Sequence, residues 1–241
     1  MDIGGDKPIA FMPGPREENP ALGLRGVRAS LHHPQLLRTQ LASILRASRA
    51  GPCRILVPMV TDATEMRLVR EALDEERARL GMAASLPVGA MIETPSSALL
   101  AESIVEASDF VSIGTNDLAQ YTLAIDRAHP LLAPRLDALH PAVLRLVARV
   151  AEAARAQGKP VSVCGGLGSD VDALPILVGL GIHEISAIPA MIPRLKRVVR
   201  SLDTNACRAL AREALELASA AEVRELVARA QAAPPTLVPG G

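Results

Sequence analysis

Five short, nearly continuous apolar runs alternate with longer segments of helical period, and no other feature narrows the fold of this chain as far. The runs are residues 54–60 (RILVPMV), 87–93 (PVGAMIE), 110–114 (FVSIG), 161–165 (VSVCG) and 183–188 (HEISAI). Apolar runs this short and this continuous fit strands buried on both faces, as in a parallel sheet whose crossovers are helices. Helical patterns lie between them. In residues 61–81, Met66, Val69, Leu73 and Leu80 share one stripe, and Asp62 with Glu65 reads as a capping box. Residues 140–158 repeat the pattern with Val143, Leu144, Leu146, Val147 and Val150, and Gly158 is expected to cap the end. Residues 33–51 form a third such helix. After Leu202 come two short Ala/Leu/Glu-rich helices, and the closing APPTLVPGG reads as a frayed tail. With no internal repeat and no linker rich enough to divide the chain, one β/α domain is expected.

The length of 241 residues suits one sizeable α/β domain. Aromatic residues make up 1% of the chain, so the core has to be built from Leu, Val, Ile and Ala. Formal net charge is zero, which gives no electrostatic case for nucleic acid or an anionic membrane as the main partner. Of the 26 basic residues 23 are arginine, a mild hint of anion recognition, because the guanidinium forks onto carboxylate and phosphate. Cys53, Cys164 and Cys207 are odd in number and widely spaced, which points to a reducing compartment and no zinc site. No apolar run approaches the ~18 residues of a membrane span, and MDIGGDK is not a signal peptide. A soluble, cytoplasmic protein is expected.

In parallel β/α folds chemistry gathers at the carboxyl ends of the strands, where the loops converge. That rule orders the polar residues. Glu93 ends the second run, Asn116 and Asp117 follow the third, Cys164 ends the fourth and Ser186 lies near the end of the fifth. Singly, each has an ordinary explanation as a helix cap or a packed thiol; jointly they read as a site. Two carboxylates on neighbouring strand ends with no histidine beside them are hard oxygen ligands, suited to Mg²⁺ rather than zinc, and equally to Mn²⁺. Arg127 closes the segment after Asp117, and Arg25 sits in EENPALGLRGVR, a Pro/Gly-punctuated loop entering a helix. Metal plus convergent arginines would suit a small, multiply charged phosphate or carboxylate, and a thiol across the site could exchange one proton.

The stretch SIGTNDLAQYTLAIDR closely resembles the signature of the phosphoenolpyruvate-utilising enzymes, which include enzyme I of the bacterial sugar phosphotransferase system, pyruvate phosphate dikinase and phosphoenolpyruvate synthase. MDIGGDK, EENPALGLRGVR, LRASRAGPCRILVPMV, GAMIETPSSALLAESI and VCGGLGSDVDALPILVGLGIHEISAIPAMIPRLKRVVRSL extend the likeness in order over about residues 1–215, leaving 216–241 as a C-terminal helix and tail. It is closest to the C-terminal domain of enzyme I. The resemblance implies a TIM (β/α)₈-type barrel that binds phosphoenolpyruvate with Mg²⁺ and forms a homodimer. By residue, it implies that Glu93 and Asp117 hold the metal, that Arg25 and Arg127 clamp the phosphate, and that Asn116 orients phosphate or carboxylate. Cys164 would exchange a proton with the methylene carbon of enolpyruvate. The phosphoryl group would pass to a histidine on another domain and on to an HPr-like carrier protein, the first step of sugar uptake.

Two departures accompany the likeness. The family usually reads Cys-Gly-Glu where this chain has Cys164-Gly165-Gly166, a form that some fused, multi-domain branches share. A (β/α)₈ barrel also needs eight strands where five are legible, so about three N-terminal strands are expected to be missing, and a phosphate-binding arginine with them. The remaining sheet would then have two unpaired edges. His32, His33, His129, His140 and His183 match no phosphohistidine motif, so that domain is expected to be absent. Two other readings stay open: a non-catalytic remnant or phosphoenolpyruvate-binding module, and a carbon–carbon lyase of the related Mg²⁺–enolate barrels.

Overall fold

A computed structural model describes residues 2–4 and 17–232. All five expected strands form: β1 (Ile55–Val57), β2 (Val88–Ile92), β3 (Val111–Gly114), β4 (Val161–Cys164) and β5 (Glu184–Ile185). They make one parallel sheet in the order β1-β2-β3-β4-β5. Sequential order with a helical crossover at every step is the connectivity of a (β/α)₈ barrel rather than of a doubly wound sheet, whose order reverses. Among the described residues the sheet does not close, and β1 and β5 each have one partner strand.

Twelve α-helices accompany the described strands. Before β1 come α1 (Val27–His32) and α2 (Pro34–Ala47), and α3 (Ala63–Arg79) links β1 to β2. Between β2 and β3 lie α4 (Pro95–Leu99) and α5 (Ala101–Glu106), and between β3 and β4 lie α6 (Thr115–Leu123) and α7 (Pro141–Ala156). After β4 come α8 (Gly166–Ser169) and α9 (Leu174–Gly179), and after β5 come α10 (Ile192–Val199), α11 (Thr204–Glu216) and α12 (Ala220–Ala232). The single helix expected over residues 33–51 starts at Pro34, whose fixed φ suits a first turn, and His33 separates it from α1. The tail from residue 233 lies outside the described residues.

The helix termini follow the expected capping pattern in part. Asp62 caps α3 by accepting from the amides of Thr64 and Glu65, but Glu65 returns its bonds to the amide and hydroxyl of Thr61, not to Asp62. The reciprocal capping box is instead at Thr94 and Ser97, at the start of α4. Gly158, at φ 63°, follows the end of α7 as expected.

The strands are not equally buried on their two faces, which corrects the expectation. One face carries Ile55, Val57, Val88, Ala90, Ile92, Val111, Ile113, Val161 and Val163, all buried beneath the helices. Apart from the glycines Gly89 and Gly114, the alternating positions are Leu56, Met91, Ser112, Ser162, Cys164 and Glu184, and of these only Ser112 is buried. Period 2 sends alternate side chains to opposite faces. The helices seal the first set, while among the described residues no opposite strands cover the inner face. Near the bottom of that face the Phe110 ring lies over Gly89, where a Cβ would come 2.5 Å from the ring, and the Arg54 guanidinium carbon stands over the same ring, 5.6 Å from its centroid. The C-terminal helices belong to the same core: Ala211 and Ala214 of α11 and Val223, Leu226 and Val227 of α12 are buried in it. Helix α11 reaches α9 so closely that a Cβ on Gly179 would lie 2.1 Å from the Cys207 carbonyl oxygen.

Candidate active site

The carboxyl ends of β2, β3 and β4 bring Glu93, Asp117 and Cys164 to one rim. Neither carboxylate is spent on capping. Thr94 caps α4, and Asp117 sits in the first turn of α6 with its carboxylate turned onto arginines. Glu93 is 3% exposed and its Oε1 accepts from the Met59 amide at 2.7 Å. Its Oε2 lies against Gly114, where a Cβ would approach to 2.6 Å, so glycine at the end of β3 makes room for the acid at the end of β2. Burial pushes the Glu93 carboxyl up to about 7; the Met59 hydrogen bond opposes this, and the charges of Asp117 and Asp2 add to it.

Met59 takes an uncommon conformation to make that bond. Its φ is 59°, a region that side chains rarely enter. Beneath it Gly26, at φ 60°, leaves no space: a Cβ there would stand 2.7 Å from the Met59 Cβ. Gly26→Ala is therefore expected to destabilise the fold by about 1–3 kcal/mol. A urea melt of the variant should show a lower midpoint at unchanged slope.

Arg25 has no exposed surface. Its Nη1 donates to Asp117 Oδ1 at 3.1 Å and to the Tyr121 hydroxyl at 3.2 Å, and its Nη2 reaches Asp2 Oδ1 at 3.5 Å. The backbone is fixed as well, since Gly4 and Arg25 form an antiparallel bridge and the Gly26 amide donates to Ile3 at 2.9 Å. Arg127 Nη1 approaches the same Asp117 Oδ1 at 3.4 Å, and its backbone amide is held by Gln120 Oε1 at 3.0 Å. Two guanidinium groups thus converge on one carboxylate oxygen.

Asn116 is exposed, and its Oδ1 accepts from the Gly166 amide at 2.8 Å. That contact gives the Cys-Gly-Gly sequence a local reason: a Cβ at Gly166 would sit 3.2 Å from the Asn116 oxygen. Gly165, at φ 87°, makes the turn and would bring a Cβ within 2.8 Å of Thr115 Oγ1. The Cys164 thiol is half-buried and donates to the Ile113 carbonyl at 3.5 Å. Burial pushes its pKa up, a hydrogen bond with Ser112 opposes that, and the Glu93 and Asp117 charges push the same way as burial, so the group is a protonated thiol at neutral pH. The structure therefore brings Glu93, Asp117, Arg25 and Arg127 into one cluster and links Asn116 to the Cys164 loop. Ser186, just past β5, is exposed and hydrogen-bonds through its backbone amide to Val163.

Tyr121 is a site residue that the sequence reading did not single out. Its hydroxyl donates to the Ala21 carbonyl and accepts from Arg25, tying the loop before Arg25 to α6. A signal was present: it is the chain's one tyrosine, four residues after Asp117 and so on the same helix face.

Whether these residues suit a divalent cation can be judged from their oxygens. Glu93 Oε2 and Asp117 Oδ2 have no hydrogen-bond donor among the described residues. A buried carboxyl raised by neighbouring negative charge is relieved when a cation arrives. No group of three or more His, Cys, Asp or Glu among the described residues could hold a metal by itself. Magnesium needs only one or two carboxylates when substrate phosphate and water complete its shell, so the pair fits.

The sequence model of one family, described as PEP-utilising enzyme, PEP-binding domain, matches residues 1–204. The chain is 45% identical over 230 residues to the multiphosphoryl transfer protein of Xanthomonas campestris, covering 95% of this chain and 27% of that protein. It is 41% identical over 232 residues to the phosphoenolpyruvate-protein phosphotransferase of Staphylococcus carnosus, covering 94% of this chain and 40% of that protein. It thus spans well under half the length of these relatives. Among solved structures, a citrate lyase from Burkholderia xenovorans superposes with a TM-score of 0.53 at 22% identity, over 81% of this chain and 68% of the other, a likeness of fold alone.

Proposed function

The chain belongs to the phosphoenolpyruvate-utilising enzymes, through their PEP-binding domain, and from that premise we propose that it binds phosphoenolpyruvate for phosphoryl transfer to a histidine carried on another domain. The observation that carries this reading is the convergence of Arg25 and Arg127 on Asp117, beside a second buried carboxylate, Glu93.

Glu93 and Asp117 would hold a Mg²⁺ ion, which when bound neutralises phosphate oxygens and the charge they gain during transfer. The two arginines neutralise the remaining phosphate charge. Arg127, partly exposed, faces an incoming ligand directly, whereas Arg25 is covered on its outer side by Asp2 at 3.5 Å. A phosphate reaching Arg25 takes the place of the Asp2 carboxylate. Asn116 keeps its NH₂ group for the ligand while its oxygen holds Gly166. In the transfer, the bond between phosphorus and the enol oxygen breaks and a bond to the histidine nitrogen forms. The resulting enolate takes a proton at its methylene carbon from the Cys164 thiol, giving pyruvate. A thiol kept protonated by burial is suited to donate there. The acceptor histidine, an HPr-like carrier beyond it and a role at the head of sugar uptake follow from the same reading, as do a homodimer and a cytoplasmic location. No described helix is long and apolar enough to cross a membrane.

A thermal melt with and without Mg²⁺ plus phosphoenolpyruvate tests the proposal. A ligand that binds only the native state stabilises it by about 2.7 kcal/mol at a hundredfold excess over its dissociation constant. The midpoint should rise with both ligands together and rise much less in Asp117→Ala. A cooperative wild-type melt unmoved by millimolar phosphoenolpyruvate would overturn the reading.

A further inference from the structure

One guanidinium outside this cluster is gripped by three carboxylates from two different loops. Arg224, on α12, places Nε 2.6 Å from Asp137 Oδ2 and Nη2 3.0 Å from Asp137 Oδ1, a forked pair. The same Nη2 lies 3.1 Å from Asp170 Oδ2, and Nη1 lies 3.7 Å from Asp172 Oδ2. Asp137 belongs to the segment that leads from α6 and Arg127 to the first turn of α7, where its Oδ1 also accepts from the Leu139 amide at 2.9 Å. Asp170 and Asp172 close the segment after β4 that begins with Cys164 and Gly166, and Asp170 Oδ1 takes the Asp172 amide at 3.0 Å. Arg224 is thus bonded to the loop that carries Arg127 and to the segment that runs on from Cys164 at the end of β4, the Cys164 loop.

The charge balance makes this more than helix docking. Three aspartates face one cation, so without the arginine the two loops would present like charges to each other. Its fork geometry also fixes orientation as well as distance, which a lysine ammonium would not do. The apolar contacts of α12, through Val223, Leu226 and Val227, anchor the helix independently. The guanidinium is therefore left to register the loops.

We infer that Arg224 is a positioning residue, which sets the separation of the Arg127 loop and the Cys164 loop and so preorganises the rim on which the ligand is held. The last clause rests on the function proposed above; the loop registration itself does not. The test compares wild type with Arg224→Met and Arg224→Lys by hydrogen exchange resolved to segments, by the rate of Cys164 alkylation with iodoacetamide read by mass spectrometry, and by the Mg²⁺–phosphoenolpyruvate thermal shift. In Arg224→Met, exchange over residues 126–139 and 165–173 should quicken at least tenfold, with β2 and β3 unchanged, and Cys164 should alkylate several-fold faster. Arg224→Lys should restore part of the protection but not all of it. If Arg224→Met does not fold cooperatively, the double variant Asp137→Asn/Asp170→Asn removes the clamp without leaving a repulsive cluster and should loosen the same two segments. Faster exchange confined to α12, or no change in either loop, would overturn the inference. If the loops loosen as expected but wild type itself shows no ligand shift, the clamp stands and the proposed function fails.

Discussion

Replacing Arg25 by methionine should cost the folded chain about 3–5 kcal/mol, the range found when one partner of a buried ion pair is removed. The side chain has no exposed surface, and Asp117, its partner at 3.1 Å, is itself buried. Methionine fills similar space but supplies no donor. It leaves Asp117 facing Arg127 at 3.4 Å without Arg25 and removes the bond that Arg25 donates to the Tyr121 hydroxyl. Chemical denaturation at neutral pH measures the loss, and the phosphoenolpyruvate-dependent thermal shift should vanish with it. Arg25→Met/Asp117→Leu provides the control, since it removes the buried Asp117 carboxylate together with its partner and leaves only the partly exposed Asp2 without the arginine, and it should recover much of the stability while staying unable to bind. Equal losses in the single and double variants would mean that Arg25 acts by packing and not by charge.

Glu93 should give the chain a stability profile that falls with rising pH in magnesium-free buffer. Its folded carboxyl titrates at about 7, against the usual 4.5. Between those values the native state holds a proton that the unfolded state has released, so stability declines as pH rises. The cost is absent below pH 4.5 and complete above pH 7. A gap of that size corresponds to roughly 3 kcal/mol. Glu93→Gln removes the titration while keeping an acceptor for the Met59 amide. The variant should therefore match wild type near pH 4.5 and exceed it by up to about 3 kcal/mol at pH 8. Added Mg²⁺ should act in the opposite sense, because a metal takes the carboxylate and displaces the proton. Its stabilising effect on wild type should grow between pH 6 and pH 8 and be absent in Glu93→Gln. Parallel pH profiles for wild type and variant would show that Glu93 is not the group buried in this way.

Much of the fold and half of the site could be read along the chain because their signals are local. Short, nearly continuous apolar runs located all five strands, and the 3.6 period located the stripes of α3 and α7, since each signal depends on neighbours a few residues away. The strand-end rule placed Glu93, Asp117 and Cys164 on one rim, because a parallel strand's direction follows from its helical crossover. Gly158 and the Asp62 cap were legible for the same reason, and the carboxylate of Glu65 accepts from the amide one residue before the expected donor.

What the tertiary structure decided depends on contacts between distant residues. Arg25 meets Asp117 across 92 positions, and Arg224 meets Asp137 across 87. Nothing in EENPALGLRGVR says that its arginine is fully enclosed, or that Gly26 is there to make room for a left-handed Met59, since methionine has no preference for that conformation. Nor does an apolar run reveal which of its faces will be covered. The helices bury Ala90, Val111 and Val161, while the face bearing Ser162 and Cys164 stays partly open. Hydrophobic period fixes which side chains share a face, but burial and the pairing of charges are properties of what packs against that face, and the chain supplies those neighbours only once it has folded.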